Sequence, residues 1–353
     1  MWNFIMIRID DIKRCAQSAG FDGCGVTRVH LVEDEVMGKF DAWLEEGCVG
    51  GMEYLHRYRE IRRNPELLLE GARTMVCLAV GYTPGGEIEG MAHYAYGRDY
   101  HDVVREMGRE FAEMVLAARG EGKASEKMGK AAGERGKASG EWGTALREMG
   151  KASGGMEGRE KEAVERGEYR VCVDTAPILE RYWAAEAGLG WIGRNHQLIV
   201  PRRGSEFFLC EVLFTEEVDE VDVPLRGRCG TCRKCLEACP TGALREDGVL
   251  DAQRCNSYLT IEHRGEWEAW RPSAGCLYGC DVCQKVCPWQ RFARVTDVKE
   301  FVASEELVRM KEEDWRKLTR EKFAELFRGS AVKRVKYEGL MRNVVWALGE
   351  AHE

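Results

Sequence analysis

Four cysteines in the segment RCGTCRKCLEACPTGAL constrain the fold most, because a shared metal site fixes the path of the chain around it. Residues 228–244 place them in a C-x2-C-x2-C-x3-C-P pattern, at Cys229, Cys232, Cys235 and Cys239. Three thiolates on one tight loop can ligate three corners of a [4Fe–4S] cube, and the cysteine before the proline usually ligates a second cluster. Zinc is the structural alternative, but a zinc site would use two C-x2-C pairs and no Cys-Pro. The pattern therefore predicts iron–sulfur clusters.

A second motif, CLYGCDVCQKVCPWQ at 276–290, supplies Cys280, Cys283 and Cys287 in a C-x2-C-x3-C-P pattern. Two cubes need eight thiolates, and seven are now assigned. Either Cys255 or Cys276 supplies the eighth, and spacing alone does not choose between them.

The crossed pattern of two-cluster ferredoxins then divides the ligands. The first cluster takes Cys229, Cys232, Cys235 and Cys287. The second cluster takes Cys239, Cys280, Cys283 and the eighth cysteine. Two adjacent clusters form a path for electrons, and the alternative is a purely structural role. Electrons on this path must reach an acceptor. The segment GLGWIG at 188–193 matches the glycine spacing of a dinucleotide-binding loop, but no strand directly precedes it and no acidic residue follows at the right place, so it does not predict a dinucleotide site. We interpret its glycines as a helix cap and a pocket wall.

Composition indicates a soluble globular protein. Of the 353 residues, 44% are hydrophobic and 32% are charged, and no long apolar run predicts a membrane span. The charged N-terminus does not resemble a secretory signal, so we expect a cytoplasmic protein without membrane contact. We also expect a monomer. The net charge of −8 argues against non-specific nucleic-acid binding by the whole surface, although a local basic patch could bind RNA. Six scattered cysteines are expected to be small buried side chains: Cys15, Cys24, Cys48, Cys77, Cys172 and Cys210.

The hydrophobic pattern predicts an α+β protein with four parts. Residues 1–117 and 169–225 form an α/β domain, with a strand at 72–82 and helices at 97–120 and 176–187. Residues 118–168 contain 12 of the 40 glycines and repeat GKAS at 122, 136 and 150, which indicates a low-complexity loop, a weakly helical arm or a small repeat. Residues 226–292 form a ferredoxin-like double [4Fe–4S] module, and residues 293–353 form a short helical tail.

Several segments together resemble the epoxyqueuosine reductases. They are VDTAPILERYWAAEAGLGWIGRNHQLIVPRRGSEFFLCEV, RCNSYLTIEHRG, YGCDVCQKVCPW, HYAYGRDYH and the first cysteine motif. The resemblance covers most of the chain apart from residues 118–168. It implies an oxidoreductase that reduces epoxyqueuosine to queuosine at the wobble position of tRNA with a GUN anticodon. It also implies cobalamin held by the N-terminal domain, two [4Fe–4S] clusters, and a low-potential electron donor such as ferredoxin or flavodoxin.

The resemblance also implies roles for single residues. Cys255 matches the family's eighth ligand, which leaves Cys276 without a role in the clusters. Asp174 matches the family's proton donor. Its position after a buried strand and beside an apolar helix leads us to expect a raised pKa and a protonated carboxyl near neutral pH. From position alone, Asp174 could equally cap the following helix.

Nine residues are expected to contact cobalamin on the same basis. They are Arg98, Tyr100, Arg194, His196, Gln197, Ser205, Tyr258, Cys280 and Asp281. His196 could ligate cobalt from below, but a polar pocket wall is the preferred interpretation because the family leaves that face unligated.

The chain departs from the family pattern at three places. Arg194 stands in place of a lysine, Glu206 in place of a common aromatic residue, and the tail is shorter than in many members. Basic residues that could hold tRNA phosphates, or only form a solvated helix face, are 56–66, Lys333, Arg334, Lys336 and Arg342. Two other functions stay open: a related corrinoid iron–sulfur reductase acting on a small molecule or another corrinoid protein, and an electron carrier without catalytic activity.

Overall fold

The computed structural model describes residues 6–119, 168–267 and 269–349. Most of the predicted low-complexity insertion, residues 120–167, lies outside these ranges. No helix among the described residues combines the length and the apolar character needed to cross a membrane.

A four-stranded sheet organises the first part of the chain. Its strands are β1 (Gly23–Arg28), β2 (Thr74–Gly81), β3 (Tyr169–Cys172) and, after the small hairpin of β4 (Trp191–Ile192) and β5 (Leu198–Ile199), β6 (Phe207–Phe214). The strand order is β1-β2-β6-β3 and every pairing is antiparallel. The predicted strand at 72–82 is confirmed by β2. The predicted α+β class is confirmed as well, whereas the description of this region as α/β was wrong because its strands are not parallel.

Both faces of the sheet are covered by helices. Side chains alternate along β2, so Val76 and Leu78 face one side while Met75 and Cys77 face the other. Helices α1 (Ile9–Ser18) and α4 (Tyr100–Arg119) cover the first face, and α2 (Asp34–Glu45) and α5 (Glu180–Glu186) cover the second. A short helix, α3 (Arg59–Arg63), follows α2. The result is a three-layer arrangement in which β2 is buried along its whole length.

The scattered cysteines behave as expected from the sequence. Five are buried and Cys24 is partly buried, and all of them carry free thiols. Four of them lie on strands of the sheet and Cys15 lies on α1, whereas Cys48 lies in the turns after α2. Helix α4 matches the prediction at 97–120, but α5 begins at Glu180 instead of residue 176 because the segment after Asp174 forms turns.

Short helices dominate the remainder of the chain. They are α6 (Lys234–Ala238), α7 (Asn256–Ile261), α8 (Val282–Lys285), α9 (Glu305–Arg309), α10 (Glu312–Arg316), α11 (Arg320–Leu326) and α12 (Lys336–Leu348). The predicted apolar residues of the tail, Trp315, Leu318, Phe323 and Phe327, are buried in one cluster with Tyr96 and Tyr278. The helical tail is thus confirmed, and it packs against the segments that precede α4 and α8.

Two of the predicted phosphate-binding residues are engaged within this packing. Arg342 donates hydrogen bonds to the carbonyls of Leu259 and Gly265 and lies over the ring of Trp267. Arg334 forms a bidentate ion pair with Glu262. Arg342 therefore fastens α12 to α7.

Gly97 allows the segment before α4 to touch the 3-10 turn at Lys299–Phe301. A Cβ atom at this position would overlap the backbone of Glu300 and Phe301. Gly97→Ala is therefore expected to lower the free energy of unfolding by about 1–3 kcal/mol, the usual cost of overpacking. Gly38→Ala is the control, because an added Cβ there meets nothing within 4 Å and alanine favours the helix by about 0.5–1 kcal/mol. Denaturant unfolding of both variants measures the difference, and equal stabilities would contradict the close packing.

Candidate active site and cluster ligands

Asp174 lies just past the end of β3 in a backbone conformation that side chains rarely adopt, with φ of 47°. Its carboxylate accepts a hydrogen bond of 2.8 Å from the Tyr100 hydroxyl. The Nε2 atom of His101 lies 2.7 Å from the same carboxylate oxygen. Asp174 does not cap α5, whose first residue follows Leu179. The strained turn instead aims the carboxylate at the start of α4.

His101 bridges two carboxylates. Its Nδ1 atom lies 2.6 Å from Asp99, and its Nε2 atom faces Asp174. Burial alone lowers the pKa of His101, but the hydrogen bonds to Asp174 and Asp99 outweigh it and raise the pKa to about 9. The imidazole is therefore cationic near neutral pH, with both ring nitrogens donating.

The expectation that Asp174 has a raised pKa was wrong. Burial favours the neutral carboxyl, but hydrogen bonds from His101 and Tyr100 favour the carboxylate more, so the pKa of Asp174 is lowered. Because the pKa of His101 is raised and that of Asp174 is lowered, the proton expected on Asp174 lies on His101 instead. The two side chains form a pair that shares one proton across a 2.7 Å contact.

Two further carboxyl groups lie behind Asp174. The side chain of Glu180 accepts a hydrogen bond from the backbone N–H of Asp174. Burial, reinforced by the charge of Asp174, raises the pKa of Glu180 to about 8. Glu211 on β6 is fully buried, and neither carboxylate oxygen has a hydrogen-bond partner among the described residues. Burial and the nearby Glu180 raise its pKa as well. Near pH 7 Glu180 therefore holds a proton.

The exposure and the desolvation of Asp174 together indicate that the pair of Asp174 and His101 lies on a concave surface, which we call the cleft. The Asp174 side chain is 51% exposed, yet the partial loss of water around its carboxyl still acts to raise its pKa. Arg181 is likewise exposed, while desolvation lowers its pKa. Groups that are partly desolvated and still reached by solvent are typical of a concave surface. Arg181 donates a hydrogen bond to the carbonyl of His196, which connects this wall to the GLGWIGRNHQ segment.

The cysteines of the two motifs gather into two groups. Burial raises the pKa of Cys235, and the neighbouring Cys229 and Cys287 raise it further. Cys287 is also influenced by Cys229 and Cys232. These four thiols, Cys229, Cys232, Cys235 and Cys287, are the set predicted for the first cluster.

The second group forms around Cys283. Burial raises its pKa, and Cys280, Cys255 and Cys239 contribute in that order. The backbone N–H of Ala243 points at the Cys239 sulfur across 3.3 Å. Although burial opposes it, such backbone donors lower the pKa of Cys239 and favour the thiolate, which is the form that binds metal.

The spacing of these thiols fits a cube better than a single ion. Four sulfurs around one zinc ion, each about 2.3 Å from the metal, would lie about 3.8 Å apart. Among the described residues, no three cysteine sulfurs lie within 4.8 Å of one another. The wider grouping suits a [4Fe–4S] cluster, whose ligands bind separate iron atoms.

The two candidates for the eighth ligand differ in their partners. Cys255 influences the pKa of both Cys280 and Cys283. Cys276 also lies near Cys280, but it is buried and its thiol donates a hydrogen bond of 2.9 Å to the carbonyl of Gly279. The contacts therefore favour Cys255 as a ligand.

The nine predicted cobalamin contacts do not all lie together. Tyr100 is part of the Asp174 site, and its ring stacks on Phe208 at 4.4 Å. Arg194 instead lines a cavity of about 200 Å³ beside Cys229 and Cys232, and it donates a hydrogen bond to the carbonyl of Gly230. Arg98 is exposed, with its backbone bonded to Glu300.

The remaining predicted contacts are partly engaged in packing. The Tyr258 hydroxyl accepts a 2.6 Å hydrogen bond from the backbone of Gly51. Asp281 is buried and accepts a hydrogen bond from the backbone of His93. The backbone carbonyl of Ser205 accepts from the side chain of Gln284.

His196 and Gln197 follow Asn195, whose side chain donates to the carbonyl of Cys283. Desolvation lowers the pKa of His196, so its imidazole is neutral near pH 7. This segment connects the second cysteine group to the Asp174 wall through Arg181.

Asp99, His101 and Glu180 were not identified from the sequence. All three lie in the quoted segments HYAYGRDYH and VDTAPILERYW. The signal was a histidine two residues after an aspartate at the start of a helix, a spacing that lets the carboxylate accept from Nδ1. No sequence rule placed this pair against Asp174, which is 73 residues away.

Comparison with known proteins agrees with this geometry. A family model described as a 4Fe-4S double cluster binding domain matches residues 228–290, and one described as epoxyqueuosine reductase QueG, DUF1730, matches residues 62–128. The chain is 36% identical to the epoxyqueuosine reductase of Yersinia pestis, over 96% of this chain and 82% of that protein. The chain belongs to the epoxyqueuosine reductase family. The epoxyqueuosine reductase of Cyclobacterium marinum is 32% identical over 96% of both chains.

Solved structures of epoxyqueuosine reductases share the fold. One is a crystal structure with an epoxyqueuosine-modified tRNA-Tyr stem loop, and it matches with a TM-score of 0.75 at 25% identity. The match covers 96% of this chain and 80% of that one. In this chain, as the family model indicates, the cysteine-rich region is a binding domain for two [4Fe–4S] clusters.

Proposed function

We propose that this protein reduces epoxyqueuosine to queuosine in tRNA with a GUN anticodon. The reaction takes up two electrons and two protons, breaks both carbon–oxygen bonds of the epoxide, and releases water and an alkene. The observation that carries the proposal is the proton-holding pair of Asp174 and His101 in an open cleft, on a chain that also contains a double cluster domain. Relatives of this chain are named for the same reaction.

The cleft wall fits a cobalamin cofactor. Asn195 donates to the carbonyl of Cys283 in the second cysteine group, and the carbonyl of the next residue, His196, accepts from Arg181. A flat cofactor between these groups would lie next to both the second cluster and Asp174. When bound, cobalamin supplies a reducible metal centre for the epoxide, and the clusters supply one-electron transfer.

The proton chemistry belongs to the chain's own residues. We assign Asp174 as the group that delivers a proton to the departing oxygen, with His101 supplying that proton across their hydrogen bond. Tyr100 holds the carboxylate in place. Since Glu180 is neutral below about pH 8, it holds the second proton that the reaction consumes.

We further propose the domain division 1–117 with 169–225, 118–168, 226–292 and 293–353. A tRNA loop would reach the cleft past Tyr54 and Arg334. The charge of Asp174 raises the pKa of Tyr54, and the charge of Arg334 lowers the pKa of Asp174. Lys333 and Lys336 are exposed nearby in sequence and can contact phosphates. Arg342 is omitted because its guanidinium already binds backbone carbonyls.

Conversion of a defined tRNA tests the function. Anaerobically purified protein with cobalamin and a chemical reductant is incubated with epoxyqueuosine-modified tRNA, and the nucleosides are analysed by mass spectrometry. Appearance of queuosine supports the proposal. Absence of conversion, while the clusters are reduced normally, would favour the alternative corrinoid reductase acting on a small molecule or another corrinoid protein.

The activity is expected to fall as pH rises through about 9. The pKa of His101 is raised to about 9, so the imidazolium is present below that pH and is lost above it. In His101→Gln the loss of rate near pH 9 should disappear, and only the loss near pH 8 that deprotonation of Glu180 causes should remain. The rate on the plateau should drop by about 10²-fold, the lower end for losing a general acid. The measurement is the single-turnover rate from pH 6.5 to 10, with cluster absorbance as the control. An unchanged alkaline limb in the variant would remove His101 from the mechanism.

A further inference from the structure

Three arginines surround an apolar hollow beside the first cysteine group. Arg202, Arg228 and Arg291 line a cavity of about 640 Å³ together with Pro288, Trp289 and Phe292. We call these six residues the arginine face. Trp289 packs edge-on against Trp191 with ring centroids 4.9 Å apart, and it also contacts Phe292. The floor of the hollow is thus held by aromatic packing.

The arginine face adjoins the thiols of the first cluster. Arg228, Pro288 and Trp289 also line the neighbouring cavity of about 200 Å³, whose wall includes Cys229, Cys232, Cys235 and Cys287. Pro288 directly follows Cys287 in the chain. A molecule seated on this face would therefore lie within a side chain's length of the first cluster.

The charge of the face is opposite to that of the whole protein. The chain has a net charge of −8, yet the three arginines are exposed and none has an ion-pair partner among the described residues. Lys234 lines the adjoining cavity, and it likewise has no ion-pair partner among the described residues. The nearby Glu246 is already paired with Arg233. Unpaired cations on an acidic protein create a local positive potential that attracts an acidic partner.

The composition of the face matches a small protein interface. An apolar centre with aromatic and arginine side chains and a charged rim is typical of transient complexes. Complementary charge raises the rate of encounter more than the final affinity, which suits a partner that must arrive and leave in each catalytic cycle. The two electrons of the reaction have to enter singly, because each cluster transfers one electron at a time.

We propose that the arginine face is the docking surface for a small acidic protein that carries single electrons at low potential. This inference rests on the proposed function in taking the clusters as an electron path. In each encounter the carrier is oxidised by one electron and the first cluster is reduced by one, with no bond made or broken and no proton transferred. Two encounters supply one turnover.

The test compares two charge-reversed proteins of equal net charge. The first is R202E/R228E/R291E, and the control is R28E/K299E/R328E, which reverses three exposed cations that have no ion pair among the described residues. Reduced flavodoxin, an acidic carrier, is mixed with the cluster-loaded proteins, and bleaching of the clusters is followed by stopped flow. At low ionic strength the arginine-face variant should react about 10–10³-fold more slowly than the wild type, and the wild-type rate should fall with salt. The control should stay within about threefold.

Other measurements keep failure of docking separate from failure of catalysis. Iron content and photoreduction by a deazaflavin report whether the clusters are intact, and R202Q/R228Q/R291Q replaces the Glu set if that set loads less iron. Direct binding of oxidised flavodoxin by calorimetry should weaken in parallel with the rate. If both charge-reversed proteins slow equally, or if the arginine-face variant loses tRNA binding while flavodoxin reduces it normally, the docking surface is elsewhere. Loss of tRNA conversion in the wild type with normal cluster reduction would refute the proposed function and leave the docking surface standing.

Discussion

Asp174→Asn is expected to lower the rate of epoxyqueuosine conversion by about 10²–10⁴-fold, the range for removing a positioned general acid. Asparagine keeps an oxygen that can accept from Tyr100 and His101, so the hydrogen bonds of the site survive. It cannot take a proton from His101 and pass it to the departing oxygen. The loss should therefore appear in the single-turnover rate and leave the affinity for tRNA within a few-fold of the wild type.

Asp102→Asn provides the matched control for this variant. Asp102 lies on the same helix as His101, its side chain is 70% exposed, and its ion-pair contact is with Arg105 at 3.8 Å. The same chemical change at this position should leave the rate within about twofold, as surface substitutions usually do. Full turnover by the Asp174 variant, with about eight irons bound, would remove Asp174 from the reaction. Loss of iron in that variant would instead point to a folding role.

The sequence located Asp174 but misjudged its protonation, and the reason is physical. A carboxyl after a buried strand is desolvated, and desolvation alone does raise a pKa. The sign is reversed by His101 and Tyr100, which approach from a helix that is distant in sequence. Whether burial or a hydrogen bond wins depends on contacts of less than 3 Å. No periodicity or spacing in the sequence reports such contacts.

The fold, too, was predictable from the sequence only in part. Long elements with strong hydrophobic patterns, β2 and α4, were predicted within a few residues. The antiparallel pairing of the sheet was not, because alternate burial on both faces looks the same for either strand direction. Glu211 escaped notice for a related reason: in FFLCEVLF it is one polar residue in an apolar strand, and only the register opposite Cys172 reveals that it lies buried near Glu180.

The grouping of the cysteines could be predicted from the sequence, since each motif brings its thiols together through its own local spacing. Seven thiols follow from two short motifs, and the grouping in the structure matches their crossed assignment. The proposed eighth ligand, Cys255, lies in neither motif. Whether its thiol reaches the second cluster depends on how α7 packs against the second motif. The spacing of residues does not report this packing, and only the resemblance to relatives pointed to Cys255.

Cys255→Ser and Cys276→Ser should therefore have opposite outcomes. The Cys255 variant is expected to lose the second cluster, so that iron falls from about eight to about four per chain and tRNA conversion falls below detection. Cys276→Ser should keep about eight irons, because a serine hydroxyl can still donate to the carbonyl of Gly279. Iron analysis and electron paramagnetic resonance of the reduced proteins measure both effects.

The two serine variants control for each other, since both remove one sulfur from neighbouring sites. A second cluster retained in Cys255→Ser and lost in Cys276→Ser would exchange their roles. Partial loss in both would mean that either thiol can complete the cube. The structure argues against that result. Cys276 is buried, and its thiol donates a hydrogen bond to the carbonyl of Gly279. Binding iron would break that hydrogen bond and leave the carbonyl without its donor. Cys255 keeps its sulfur beside Cys239 and Cys280 at no such cost.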